Sequence, residues 1–323
     1  MLHALTRAFA SARTVLLTAP SELDADAIGA IEALRRVLAV RWPSAVVQVV
    51  LDEAVPSSLT FLCDLNHFHD AARVPVGPVD LAVVLDGEPS RLAAAAAHVA
   101  AAQAVVMIDH HRTSADAAVA LRLFDPQAAS TTTLVAQLCD HWGVAFDAPI
   151  ATAIYAGIAF DTGTFRYRNT TPATHRLAAR LLEAGVDHTT VVERILLEQG
   201  EEKARLRGRV LTGLKKSPSG QVAWVALAAA ECRGANTGGL VDELVFLRGV
   251  QLGVLIVEKA PGRVRISLRS RGAVDVAALA RTLAPGGGGH AQAAGAMLTG
   301  SLRSVTREVV AAAEQAVSTS LLR

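Results

Sequence analysis

The stretch TVLLTAPSELDADAIGAIEALRRVLA, residues 14–39, passes from a short apolar run into a helix-like segment, and the turn between them carries two carboxylates, Asp24 and Asp26. The same alternation continues to about residue 160 through SAVVQVVL (44–51), LAVVLD (81–86), AVVMID (104–109) and, after an intervening helix, IATAIYAGIAFD (150–161). Unbroken apolar strands separated by Ala-rich helices predict a parallel sheet covered on both faces, a doubly wound α/β domain. In such folds ligands collect beyond the carboxyl ends of the strands, so the residues closing each run are the informative ones. They are Asp24 and Asp26, Asp86, Asp109 with His110 and His111, and Asp161. Four strand ends are thus expected to finish in acid or imidazole. Any one of these aspartates reads equally well as a helix cap or turn residue. Together they would place hard oxygen and borderline nitrogen donors around one crevice, a set that suits Mn²⁺ or Mg²⁺ better than a structural zinc.

Composition narrows the class of protein. The chain has 323 residues, a net charge of +1 and 51% apolar residues, enough for two domains that each bury a core. The balanced charge argues against a surface that coats long duplex nucleic acid and leaves a small or short anionic substrate open. Cys63, Cys139 and Cys232 match no zinc or redox spacing and are odd in number, which fits a reducing compartment. No apolar run reaches the roughly 18 residues of a membrane helix, and RAFASARTVLLTAP lacks a long apolar core before a cleavage site. A cytoplasmic protein is expected.

The rest of the chain reads as a connector and a smaller domain. Residues 1–187 are assigned to the first domain, 188–215 to a charge-rich helical linker and 216–323 to an α+β domain. The latter carries predicted strands QVAWVAL (221–227), VQLGVLIVEK (250–259) and RVRISLRSR (263–271), a helix near DVAALARTLA (275–284) and a C-terminal amphipathic helix, SLRSVTREVVAAAEQAV (301–317). Alternation within RVRISLRSR puts Arg263, Arg265, Arg269 and Arg271 on one face. Four like charges in a row suit contact with phosphate, which Arg binds bidentately, although a plain solvated face would also hold them. Four glycines, Gly286, Gly287, Gly288 and Gly289, precede His290; such a run serves either close approach to a ligand or a hinge.

With these residues in view the chain resembles the DHH phosphoesterase superfamily, and within it the nanoRNase branch. Asp109, His110 and His111 match the name-giving triplet, DADAIGA (24–30) the first motif, LDGEPSR (85–91) with Asp86 and Arg91 the second, and FDTGTFRYRNTTPATHR (160–176) with Asp161 the fourth. ISLRSRGAVDVAALARTLAPGGGGHAQAAGA (266–296) is similar to the DHH-associated substrate domain, whose glycine run and histidine hold the nucleotide. The resemblance implies an enzyme that degrades very short oligoribonucleotides and removes the 3′-phosphate from 3′-phosphoadenosine 5′-phosphate. It implies two Mn²⁺ ions bridged by Asp86, with Mg²⁺ as the alternative cation. Asp26, His110 and Asp161 would complete one site and Asp24 would belong to the other. His111 would face the substrate phosphate, and Asp109 would orient a ligating imidazole. Arg91, Arg269, the glycines Gly287, Gly288 and Gly289, and His290 would contact substrate, with the second domain closing over the metal crevice.

One position departs from the family pattern. The histidine usual four residues before the first Asp of motif one is Pro20, so weaker metal binding is expected there, with Glu22 the nearest spare carboxylate. Cyclic or linear dinucleotide phosphodiesterases carry related motifs, commonly behind membrane or sensory domains. A single-strand exonuclease would be expected to have a longer chain, and a manganese pyrophosphatase lacks the glycine loop. A non-catalytic nucleotide sensor would bind ligand without turnover. The second domain could support a homodimer, but no apolar stripe singles one out.

Overall fold

The computed structural model describes residues 1–111, 119–198, 200–232, 235–272 and 274–320. The expected linker and second domain include residues outside this set, namely 199, 233, 234, 273 and 321–323. The chain divides into two compact units, Met1–Glu198 and Gln199–Arg323.

The first unit is built on a six-stranded sheet, in the order β3-β2-β1-β4-β5-β6. Its strands are β1 (Thr14–Thr18), β2 (Val46–Leu51), β3 (Phe68–Asp70), β4 (Val79–Leu85), β5 (Ala102–Asp109) and β6 (Leu121–Phe124). All five ladders are parallel. From β1 the chain steps outward to β2 and β3, then returns to lay β4 on the other side of β1, so the strand order reverses between β1 and β4. Period-two alternation sends Val15, Leu17, Val83 and Leu85 into the larger core, and Leu16, Ala82 and Val84 into a smaller core on the opposite face. The larger core is covered by α2 (Ala25–Arg41), α4 (Thr131–Trp142) and α5 (Ala148–Asp161); the smaller one includes Ala95 and Val99 of α3 (Ala95–Ala100). Helices α1 (Leu2–Ser11), α6 (Pro172–Glu183) and α7 (His188–Val192) complete this unit. Each Ile or Leu of α2 that is lost from water, such as Ile28, Ile31 and Leu34, contributes about 1.5–3 kcal/mol.

One expectation fails here. IATAIYAGIAFD is no strand: it forms most of α5, capped by Asp147, whose side chain accepts from Ile150 N at 2.8 Å. At 14 residues α5 is longer than a typical strand, and Ala supplies much of it. Because α5 is buried on nearly every side it shows no polar stripe, and without a stripe its period is invisible in the sequence. Asp161 therefore sits at the carboxyl end of a helix, and three strand ends rather than four carry the other acids.

The second unit holds a mixed sheet ordered β11-β12-β10-β9-β8-β7. Its strands are β7 (Lys215–Lys216), β8 (Val222–Leu227), β9 (Leu252–Ala260), β10 (Arg263–Ser270), β11 (Gly288–His290) and β12 (Ala293–Thr299), and only β8 and β9 run parallel. The helices are α8 (Glu201–Thr212), α9 (Ala229–Cys232), α10 (Asp242–Val245), α11 (Val276–Leu283) and α12 (Leu302–Ser320). One face packs Val264, Ile266, Leu268 and Leu298 against α11 and α12; on the other, α8 and α10 pack on Ala223, Val225, Leu255 and Val257 of β8 and β9. That second core takes nothing from β10 or β12, where Arg263, Arg265 and Met297 stand exposed. Among the described residues, no helix is long and apolar enough to cross a membrane.

Candidate metal and phosphate site

The site of the first unit lies where the strand order reverses, at the carboxyl ends of β1, β4 and β5, the place where doubly wound sheets hold ligands. Asp24 is the N-cap of α2: its Oδ1 accepts from Asp26 N at 2.9 Å and from Ala27 N at 3.0 Å. Asp26, in the first turn of α2 and fully buried, caps a different helix. Its two oxygens accept from Thr131 N (2.6 Å) and Thr132 N (2.9 Å) at the start of α4. This approach depends on Gly157 of α5, where a Cβ would lie 2.4 Å from Asp26 Oδ1. Asp86 directly follows β4 with φ 58, a left-handed conformation that Asp tolerates better than most residues. Its amide donates to Ile108 O, and its Oδ1 accepts from Thr131 Oγ1 at 2.9 Å.

His110 follows β5 and is 6% exposed. Its Nδ1 lies 3.2 Å from Ala128 O, and its Nε2 is 2.9 Å from Asp161 Oδ2, 3.8 Å from Asp26 Oδ2 and 3.9 Å from Asp86 Oδ1. Asp109 turns the other way, and the imidazole it meets is that of His111. Its Oδ1 accepts from both the amide and Nδ1 of His111, the latter at 2.8 Å, so it orients His111 rather than the imidazole of His110. The backbone sends consecutive side chains to opposite sides, and His110 instead takes its orientation from a carbonyl.

Crowding sets the electrostatics. Burial, then the charges of Asp161 and Asp26, pushes the Asp24 carboxyl up to about 7. Burial and Asp161 raise Asp26 to about 6 against the opposing pull of His110 and the α4 amides. Burial, then Asp26, Asp24 and Asp161, holds Asp86 well above the usual carboxylate range. Burial works to lower His110, but its hydrogen bond to Asp161 and the charges of Asp161 and Asp26 carry it to about 9. A buried cluster of this kind has an excess of negative charge that a divalent cation offsets. Among the described residues of the first unit, Asp26–Asp86–His110 and Asp86–Asp109–His111 each have ligand atoms within 4.8 Å of one another, and Asp86 belongs to both. Carboxylate oxygens with imidazole and no thiolate fit a hard or borderline cation.

Several supporting residues gave no signal in the sequence. Thr131 contacts two of the acids. Asn169 Nδ2 donates to Ala129 O (3.0 Å) and to Asp161 O (3.1 Å), and Glu53 Oε1 accepts from the amides of Glu22 and Leu23. Only a Ser/Thr pattern before an Ala-poor helix start, AASTTT (128–133), hinted at the first. Pro20 is buried and packs on Gly87, where a Cβ would come within 2.8 Å of Pro20 Cγ; Arg91 Nη1 lies 3.4 Å from the same point, and Gly87 is next in chain to Asp86. Glu22 adopts φ 73.

In the second unit the register brings the remaining residues together. His290 pairs with Ala293, which pairs with Arg269; Gly288 pairs with Gly295, which pairs with Ser267. Cross-strand partners share a face, so Arg269 and His290 flank a floor of small residues. Arg265, Ser267, Arg269, Gly288 and Gly295 line a concavity of about 250 Å³. The Arg269 Nε–H is committed to Asp242 Oδ1 at 2.7 Å. Two of the four glycines are explained within the fold itself: a Cβ on Gly287 would strike Ala280 O, and Gly289, at φ +133, would meet Ala293 O.

Residues 14–158 match the DHH family N-terminal domain, and residues 219–319 match the DHHA1 domain. Over 278 residues the chain is 34% identical to the bifunctional oligoribonuclease and PAP phosphatase NrnA of Thermus thermophilus, covering 86% of this chain and 82% of that protein. It is 32% identical over 203 residues to the cyclic-di-AMP phosphodiesterase GdpP of Geobacillus thermodenitrificans, covering 60% of this chain and 30% of the other. An exopolyphosphatase-related protein from Bacteroides fragilis has the same fold, with a TM-score of 0.87 at 24% identity, over 98% of this chain and 95% of that one. The chain belongs to the DHH family of phosphoesterases, its second unit being a DHHA1 domain.

Proposed function

We propose that this protein hydrolyses short oligoribonucleotides to mononucleotides and removes the 3′-phosphate of 3′-phosphoadenosine 5′-phosphate, using two divalent cations, Mn²⁺ or Mg²⁺. The observation that carries the reading is Asp86, whose carboxylate stands among those of Asp26, Asp24 and Asp161, with its Oδ1 3.9 Å from His110 Nε2 and 3.6 Å from His111 Nδ1. Asp26, His110 and Asp161 would hold one cation with Asp86, and Asp24 the other. When bound, such a pair supplies Lewis acidity at the phosphate and a water acidified to near neutrality. The chain's own groups do the rest. Burial of Asp26 and His110 keeps bulk water from competing for the centre. With Nδ1–H of His111 bonded to Asp109, the imidazolium form of His111 gives the leaving oxygen its Nε2 proton and is left as the neutral Nδ1–H tautomer. Arg91 and Arg269 bind substrate phosphate, and the small residues between Arg269 and His290 admit a base or ribose close to the backbone.

The likeness to GdpP favours a second reading, cleavage of a dinucleotide messenger. The test is incubation with Mn²⁺ and, separately, a diribonucleotide, 3′-phosphoadenosine 5′-phosphate and cyclic di-AMP, with Asp86→Ala alongside. Mononucleotide and AMP released by the unaltered protein and not by the variant support the proposal. Turnover of cyclic di-AMP alone would favour the second reading, and binding without turnover a sensor.

A further inference from the structure

We propose that Thr131 is the positioning residue of the cation centre, setting the separation of Asp26 and Asp86, so that its hydroxyl governs how tightly divalent cations bind. The inference rests on the reading of that acidic cluster as a metal centre.

Thr131 opens α4 and is completely buried, as are Ser130 and Thr132. The helix already has its own cap, because Ser130 Oγ accepts from Thr133 N at 3.1 Å. What Thr131 adds reaches outside its helix. Its amide donates to Asp26 Oδ2 at 2.6 Å, and its Oγ1 donates to Asp86 Oδ1 at 2.9 Å. A carboxylate only accepts and a hydroxyl has one hydrogen, so that hydrogen is assigned to Asp86. One residue therefore ties the first turn of α2 to the residue after β4. The neighbouring backbone extends the frame: Ala128 O is the partner of His110 Nδ1, and Ala129 O takes one bond from the Asn169 amide that also reaches Asp161 O. Outer partners of this type orient ligands and affect affinity while touching no metal.

A hydroxyl that merely satisfied a buried acceptor would matter for stability alone. The two roles separate in calorimetric titration of Mn²⁺ into the metal-free protein and three variants. Thr131→Val keeps the shape and the amide but removes the donor to Asp86. Thr131→Ser restores the hydroxyl. Thr133→Val removes a neighbouring hydroxyl that lies 3.0 Å from Ser130 Oγ. The expected result is Mn²⁺ binding weakened about 10–100-fold in Thr131→Val, with Thr131→Ser and Thr133→Val close to the unaltered protein. Unchanged affinity in Thr131→Val, or equal weakening in both valine variants, overturns the proposal. If Thr131→Val fails to fold, Thr131→Ala carries the same comparison. Absence of Mn²⁺ binding by the unaltered protein would instead overturn the reading of the centre, and the role of Thr131 with it.

Discussion

His110 Nε2 lies 2.9 Å from Asp161 Oδ2, joining the end of β5 to the end of α5 across the mouth of the sheet. The contact draws together two of the groups proposed to share one cation. Replacing either, as His110→Ala or Asp161→Asn, is expected to lower Mn²⁺-dependent hydrolysis by more than the roughly 10–100-fold that outer partners of a metal ligand cost. Steady-state rates on a diribonucleotide check this, and a loss of less than about tenfold would remove that residue from the ligand set.

The acids also give the metal-free protein a definite pH dependence. Asp24 is raised from 3.8 to about 7 and Asp26 to about 6, so the folded state binds these protons more tightly than the unfolded chain. Stability falls as pH rises through that window. His110, raised from 6.5 to about 9, contributes stability below 6.5 that is lost as pH climbs to about 9. Both slopes have the same sign, so Tm in chelator should decline from about pH 5 to pH 9. Mn²⁺ requires deprotonated ligands, and its stabilising shift should be larger at pH 8 than at pH 5.5. Thermal melts across pH with and without Mn²⁺ test this; a flat metal-free profile or a pH-independent Mn²⁺ shift would contradict it.

Gly157 is expected to tolerate no side chain. A Cβ there would lie 2.4 Å from both Asp26 Oδ1 and Thr132 Oγ1, and Asp26 is fixed by two amides. Gly157→Ala should destabilise by about 1–3 kcal/mol, in the range of overpacked cores. Gly208, in the interior of α8, meets nothing within 4 Å, and Gly208→Ala should stabilise by up to about 1 kcal/mol. Denaturant melts of the two variants should move in opposite directions.

Arg269 is bonded by Asp242 through Nε, which fixes the plane of its guanidinium. Arg269→Ala should raise KM for a diribonucleotide, and Arg269→Lys should restore little, since an ammonium cannot reproduce the planar fork. Equal KM in all three proteins would exclude Arg269 from substrate binding.

Much of this was legible in the sequence because the strands of a buried parallel sheet are continuous apolar runs, and β1, β2, β4 and β5 stand out as such. The alternation of β10 showed equally well, with Val264, Ile266 and Leu268 inward. What misled was α5, whose all-round burial erases helical period. Thr131, Asn169 and Glu53 were hidden for another reason: each bonds to a segment distant in sequence, Thr131 to Asp26 and Asp86, Asn169 to Ala129 O, and Glu53 to the amides of Glu22 and Leu23, and only the fold brings them near. Asp109 was legible as a supporting acid but not as the partner of His111, because strand-end geometry decides which of two adjacent imidazoles it meets.

The most direct test of the shared role of Asp86 is the number of Mn²⁺ ions bound, measured by titration calorimetry on the unaltered protein and on Asp86→Asn. Two ions in the unaltered protein, one of them weaker where Pro20 replaces a ligand, and loss of both high-affinity events in the variant are the predicted result. Two ions bound with unchanged affinity by Asp86→Asn would contradict a centre built on that carboxylate.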